Sequence, residues 1–259
     1  MRHGSQPSYP AQTVRRVAQL LKAFEGRSTV GISELTVRTG LPRSSIHRIV
    51  SALVSEGLVV QDEDSRKYSL SLGVVELGAS ILRSNVIRRV SRPILMELRD
   101  ETGESVHLGV LDHSHVVIID TEDSYYFVRE VNVPGQRLPC HAVSTGKVLL
   151  AYLPMARLQA LLRLGPLQRF TENTITESDA LEEELRQVRA RGYAASCSEL
   201  EQGVDAFAAA VFDSMGTAVA AISVGGPSVR ISPKRDHLVQ AVCRATNRST
   251  SALSNIHWQ

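Results

Sequence analysis

GISELTVRTGLPRSSIHRIVSALVSEGLVV, residues Gly31 to Val60, is the stretch on which the fold turns. Ile32, Leu35, Leu41, Ile46, Ile49, Val50 and Leu53 recur at helical spacing, and Gly40 separates two runs. A glycine there suits a helix C-terminus, since it enters the left-handed region without a Cβ clash. Pro42-Arg43-Ser44-Ser45 then opens a second helix, on which Ser44, Ser45, His47 and Arg48 lie opposite Ile46, Ile49 and Val50. A helix-turn-helix needs this arrangement, because its second helix presents small polar side chains and cations to base edges and phosphates. A plain helical hairpin has the same spacing, so the flanks must separate the two.

On the N-terminal side, Thr13 to Phe24 carries Val14, Val17, Leu20, Leu21 and Phe24 on one side, enough for a three-helix core. On the other side, Gly57 to Val60 runs into QDEDSRKYSL, residues 61–70. That reads as a two-stranded wing with Arg66 and Lys67 at a polar tip. Residues 1–70 hold ten Lys/Arg against six Asp/Glu, a balance of +4, while the rest hold nineteen against twenty-one, −2. Positive charge therefore gathers on the element that would meet phosphate. Together these features predict a winged helix-turn-helix over residues 13–71, with Arg43, Arg66 and Lys67 on phosphates or groove edges.

At 259 residues the chain is comfortable for two domains. Cys140, Cys197 and Cys243 have no metal-like spacing and an odd count, which fits a reduced cytoplasm better than a disulfide framework. No apolar run approaches the ~20 residues that span a bilayer, so no membrane partner is expected. Residues 1–12, MRHGSQPSYPAQ, lack the apolar stretch of a signal peptide and read as a disordered tail.

Beyond the wing, Leu72, Val74, Val75, Leu77, Ile81, Leu82 and Val86 predict a single linker helix over residues 72–91, broken at Arg92-Pro93. Residues 92–259 read as an α/β domain with a mainly antiparallel sheet. Its expected strands are Val106–Leu111, Val116–Ile119, Tyr126–Val131, Tyr193–Cys197, Ala206–Asp213 and Thr217–Val224, and Gly225-Gly226-Pro227 reads as a turn. Its expected helices are Ile94–Thr102, Ser144–Leu153, Met155–Leu164, Thr176–Arg191 capped by Thr176, and a last one opened by Pro233. The fold class is thus α+β with two domains.

Catalytic signals are weak. Ser144-Thr145-Gly146-Lys147 resembles the end of a phosphate-binding loop, but His141 stands where that loop needs a glycine. His107, His113 and His115 offer imidazoles for a metal, yet two fall in a predicted turn and metal sites need three or four converging ligands. No nucleophile–base pair stands out, so neither catalytic nor metal residues are assigned, and no cofactor is expected. An enzyme or a degenerate interaction module remains the alternative.

Several separate stretches carry a resemblance: LPRSSIHRIVSALVSEGLV, RKYSLSLGVVELG, ETGESVHLGVLD, LPCHAVSTGKVLLAYLP, RFTENTIT and ELRQVRARGYAASCSELEQGV. From about Thr13 to Leu253 the chain resembles the IclR family of bacterial transcriptional regulators. The resemblance implies a winged helix followed by a GAF-like effector-binding and oligomerisation domain. It also implies palindromic operator DNA bound by a homodimer or homotetramer, with pairing partly through the first helix and the linker helix. Carried onto this chain, the effector pocket would be lined by Leu138, Ser144, Thr145, Ser196, Val204, Ala206, Ser223 and Gly225. Many relatives have an acidic residue at Ser196, cysteine at Ala206, proline at Ala210 and often serine at Gly225. These departures predict a roomier, less polar pocket for a small organic acid, aromatic or long aliphatic. The carboxylate would meet free N–H groups at the start of the Ser144 helix.

Overall fold

The computed structural model describes residues 9–255, and the chain divides into two compact units that part between Ser84 and Asn85. In the first unit, α1 (Tyr9–Lys22), α2 (Ile32–Thr39) and α3 (Arg43–Ser55) share a core of Leu20, Phe24, Val30, Leu35, Ile46, Ile49, Val50 and Leu53. Gly40 ends α2 at φ +67, its N–H donating to the Thr36 carbonyl at 2.9 Å. Strands β1 (Val59–Gln61) and β2 (Tyr68–Leu70) form the antiparallel wing. Val30 exchanges backbone hydrogen bonds of 2.8 and 2.9 Å with Tyr68, tying the start of α2 to the wing. The winged helix-turn-helix stands as expected. Helix α1 begins at Tyr9, however, so the last residues of the expected tail are helical; the first eight lie outside the described residues.

The expected single linker helix is instead two, α4 (Leu72–Ser84) and α5 (Val86–Thr102). The break falls at Asn85, whose extended backbone and side-chain oxygen, accepting from the Arg88 N–H at 2.9 Å, cap α5. Pro93 lies inside α5 rather than ending the helix. Burial of Ser91, Ile94, Leu95 and Leu98 carries the helix through it, as tertiary packing often outweighs a local breaker.

The second unit is built on six antiparallel strands: β3 (Ser105–Asp112), β4 (His115–Glu122), β5 (Arg137–Pro139), β6 (Ala194–Cys197), β7 (Val204–Phe212) and β8 (Ala218–Pro227). Their order across the sheet is β5-β4-β3-β8-β7-β6. The helices are α6 (Ser144–Ala151), α7 (Met155–Leu162), α8 (Ser178–Arg191), the short α9 (Ser228–Ile231) and α10 (Arg235–Ser254). Period-two alternation gives the sheet unlike faces. Val106, Leu108, Phe207, Val211, Ile222 and Val224 form a bulky buried set, and β7 and β8 pack on α10 while β3 packs on α5. Cross-strand partners Ala208, Ala210, Ala221, Ala194 and Ser223 form the other, small-residue face, where α6 lies.

Three local expectations are corrected. Tyr126–Val131 is not a strand; the third strand of this unit, β5, starts at Arg137. Side chains satisfy that segment's backbone instead: Ser105 Oγ donates to the Glu130 carbonyl at 2.6 Å and Arg230 to that of Val128 at 3.0 Å. Gly225-Gly226-Pro227 is not a turn but the end of β8, where a Cβ at Gly226 would lie 2.8 Å from Glu104 Oε2. Thr176 does not cap α8, which starts at Ser178; its hydroxyl accepts from Arg169 at 3.2 Å.

Helix α6 is buried along its whole length. Two residues of its Ser-Thr-Gly-Lys start explain how it fits. A Cβ at Gly146 would collide with the backbone of Cys140, so only glycine permits the approach. Lys147, 1 % exposed, donates to both Glu199 oxygens at 2.6 and 2.9 Å. Burial raises the Glu199 carboxyl above its ordinary range, against the opposing pull of Lys147. Gly146→Ala should cost about 3 kcal/mol, read as a lower denaturant midpoint; an unchanged midpoint would refute the packing. Lys147→Met should cost about 3–5 kcal/mol. Adding Glu199→Leu should recover most of that loss, because no unpaired charge then stays buried.

Candidate functional site

On α3, the buried side is Ile46, Ile49, Val50 and Leu53. Helical geometry therefore leaves Arg43, Ser44, His47 and Arg48 exposed and Ser45 half-buried. Ser51, one turn on, shares the exposed face and was missed from the sequence. The wing tip is a tight loop. Asp62 accepts from the Ser65 N–H at 2.7 Å and hydroxyl at 2.6 Å, which holds its carboxyl below the usual range, and its own N–H donates to the Lys67 carbonyl at 2.8 Å. Arg66 sits there at φ +55 beside Lys67, both exposed. Arg38, by contrast, is tied to Glu34 and to the Ala23 carbonyl.

In the second unit, a cavity of about 340 Å3 opens at one end of the small-residue face. Leu138, Ser144, Thr145, Ser196, Val204, Ala206 and Ser223 line it. Gly225 does not, because the Glu130 carboxylate stands where a side chain at 225 would be. The N-terminus of α6 faces the space through Val143, Ser144 and Thr145, and no side chain caps it. Its first N–H groups and the positive end of its dipole are thus available to an anion. Ser196 is committed elsewhere, its hydroxyl donating to the Ala142 carbonyl at 3.0 Å.

His107, Arg129, Glu130, Asn132, Gln136 and Glu201 also line the cavity and were not anticipated. His107 was open to detection, since it pairs across β3–β8 with Ser223 and so shares its face. Residues 129–136 carried no local signal, because their position depends on side chains distant in sequence. With Glu201 they run against the expectation of a less polar pocket: two carboxylates and a guanidinium border it.

The three histidines stand apart in role. His107 is buried in the cavity wall, His113 pairs with Asp112 at 2.8 Å in an exposed turn, and His115 lies 3.1 Å from the Ser114 hydroxyl. Among the described residues no group of three or more His, Cys, Asp or Glu is placed to hold a metal. Burial pushes the Cys140 thiol up to about 12, so it supplies no thiolate near neutrality. Among the described residues, no helix is long and apolar enough to cross a membrane.

Comparison with known proteins agrees with this layout. Residues 13–63 match the IclR helix-turn-helix domain, and residues 79–252 match the family described as bacterial transcriptional regulator IclR C-terminal. The HTH-type transcriptional regulator KdgR of Escherichia coli (strain K12) is 34% identical over 245 residues, 95% of this chain and 93% of that protein. The transcriptional repressor IclR of the same organism is 33% identical over 227 residues, 86% and 83% of the two chains. An IclR homolog from Microbacterium hydrocarbonoxydans, crystallised with 4-hydroxybenzoate, matches with a TM-score of 0.80 at 26% identity, covering 93% of this chain and 98% of that one. These relatives are regulators, and the enzymatic alternative is set aside with them. The chain belongs to the IclR family of bacterial transcriptional regulators, with an N-terminal helix-turn-helix and the family's C-terminal domain.

Proposed function

We propose that this DNA-binding regulator reads a palindromic operator as a dimer or tetramer and responds to a small organic acid held in the 340 Å3 cavity. Arg43, Ser44, Ser45, His47 and Arg48 enter the major groove from α3, and Arg66 and Lys67 reach the backbone or the adjacent groove from the wing. Exposure of all of these but the half-buried Ser45, on one helix face and one loop tip, supports that assignment. Pairing of the readers is supported by α4, none of whose residues is buried and whose Leu72, Val75, Leu77 and Ile81 are exposed. Large apolar side chains exposed on both sides of one helix need a partner surface.

The observation that carries the effector reading is the uncapped N-terminus of α6, opening into a bounded polar cavity. A carboxylate there meets backbone N–H groups and the hydroxyls of Ser144, Thr145 and Ser223. The cavity volume lies in the range of ligand pockets and leaves room for a ring. The relative bound to 4-hydroxybenzoate supports an aromatic acid.

Operators selected from a random duplex pool give the assay. Arg48→Ala should weaken operator binding about tenfold and lower the salt slope by about 1. Unchanged affinity and slope would move the reading helix elsewhere. For the pocket, Thr145→Val should weaken binding of benzoate about tenfold by calorimetry, the scale of one hydrogen bond to a charged group, while operator affinity without acid stays constant. Benzoate binding unaffected by Thr145→Val would place the carboxylate away from α6.

A further inference from the structure

The cavity that the α6 terminus faces is also lined by a buried imidazole and a carboxylate, groups that a simple acid would leave unused. His107 is 1 % exposed, its Nδ1 lies 3.0 Å from Thr121 Oγ1, and its Nε2 has no hydrogen-bond partner. Glu130 Oε2 is buried, also without a partner, and lies 3.6 Å from that Nε2. This separation is too long for a direct hydrogen bond but suits a single atom bound to both. A buried polar atom without a hydrogen bond is destabilising, and an occupant bonded to both would relieve it.

Glu130 is held in that position deliberately by its surroundings. Ser105 Oγ donates to its carbonyl at 2.6 Å, and Asn132 Nδ2 donates to its Oε1 at 2.9 Å. Its Oε2 is thereby left for the cavity. Space for the carboxylate exists only because residue 225 is glycine, since a Cβ there would strike Glu130 Oε2. Gly225 thus contributes to the site without lining it.

Resting on the effector pocket proposed above, we infer that His107 and Glu130 form a hydroxyl-recognition subsite, so that the effector is a hydroxy acid. The hydroxyl donates its proton to Glu130 Oε2 and accepts from His107 Nε2–H, in the tautomer where the Thr121 hydroxyl donates to Nδ1. An ammonium would satisfy the carboxylate as well, but it has no lone pair to accept from His107 Nε2–H. The cavity thus offers an anion the helix terminus and offers a hydrogen-bond donor the Glu130 carboxylate.

The test is calorimetry of the full chain with matched acids: benzoate against 3- and 4-hydroxybenzoate, and pentanoate against 5-hydroxypentanoate and 5-aminopentanoate. In at least one series the hydroxy acid should bind roughly tenfold or more tightly than its parent, because a site built around a hydroxyl rejects the analogue lacking it. That ratio should collapse to about 1 in Glu130→Ala. Gly225→Ala should do the same, since its Cβ would occupy the place of the Glu130 carboxylate. Equal binding of parent and hydroxy acid, tighter binding of the amino acid, or a ratio that survives both variants would overturn the subsite. If no acid of any kind binds, the effector pocket itself falls, a failure distinct from a pocket that binds acids without regard to hydroxyl.

Discussion

Helix α6 must be buried on every side, and most features of the second unit answer to that demand. A helix enclosed this way needs a sheet face of small residues, which the alanines of β7 and β8 provide. It needs a glycine where the Cys140 backbone crosses it, and Gly146 stands there. Its one charged side chain has to be neutralised inside the protein, which Glu199 does. What burial does not supply is an acceptor for the first turn. A buried helix start without a cap is costly unless something else meets its N–H groups. The cavity lies at that end of the helix, so the deficit created by packing is what the proposed anion would meet.

The same economy recurs in the segment between β4 and β5. Residues 125–131 present aromatic and β-branched side chains in sequence, yet Tyr125, Tyr126, Phe127 and Val128 are exposed. Instead of pairing as a strand, the segment is held through Arg230, which pairs with Glu104, lies 4.3 Å from the Tyr126 ring and donates to the Val128 carbonyl. Pinned by side chains, this irregular backbone turns Glu130 and Asn132 toward the cavity.

This contrast marks how far the sequence could be read. The helix-turn-helix was open to inspection because its information is local: the spacing of Ile46, Ile49 and Val50 names the buried face, and the remainder must be the surface. The start of α6 was visible for the same reason. Asn85 was missed because apolar periodicity ran through it, although its side chain is a common N-cap. Pro93 misled in the opposite direction, since tertiary burial of its neighbours outweighs it. Glu130 was beyond reach, as its placement depends on Ser105 and on the absence of a side chain at Gly225, 95 residues later in the chain. Small residues at 206 and 225 suggested a less polar pocket. They instead made room for a carboxylate arriving from elsewhere.

A ligand acts on DNA binding only to the extent that its affinity differs between the operator-bound and free protein, and the coupling is reciprocal. The most direct measurement is therefore the affinity of the full chain for a hydroxybenzoate, taken by calorimetry with and without saturating operator duplex, beside operator affinity with and without the acid. The account predicts that both affinities change by the same factor, roughly 5–150-fold. Tight acid binding that is indifferent to operator, with operator binding indifferent to acid, would contradict it.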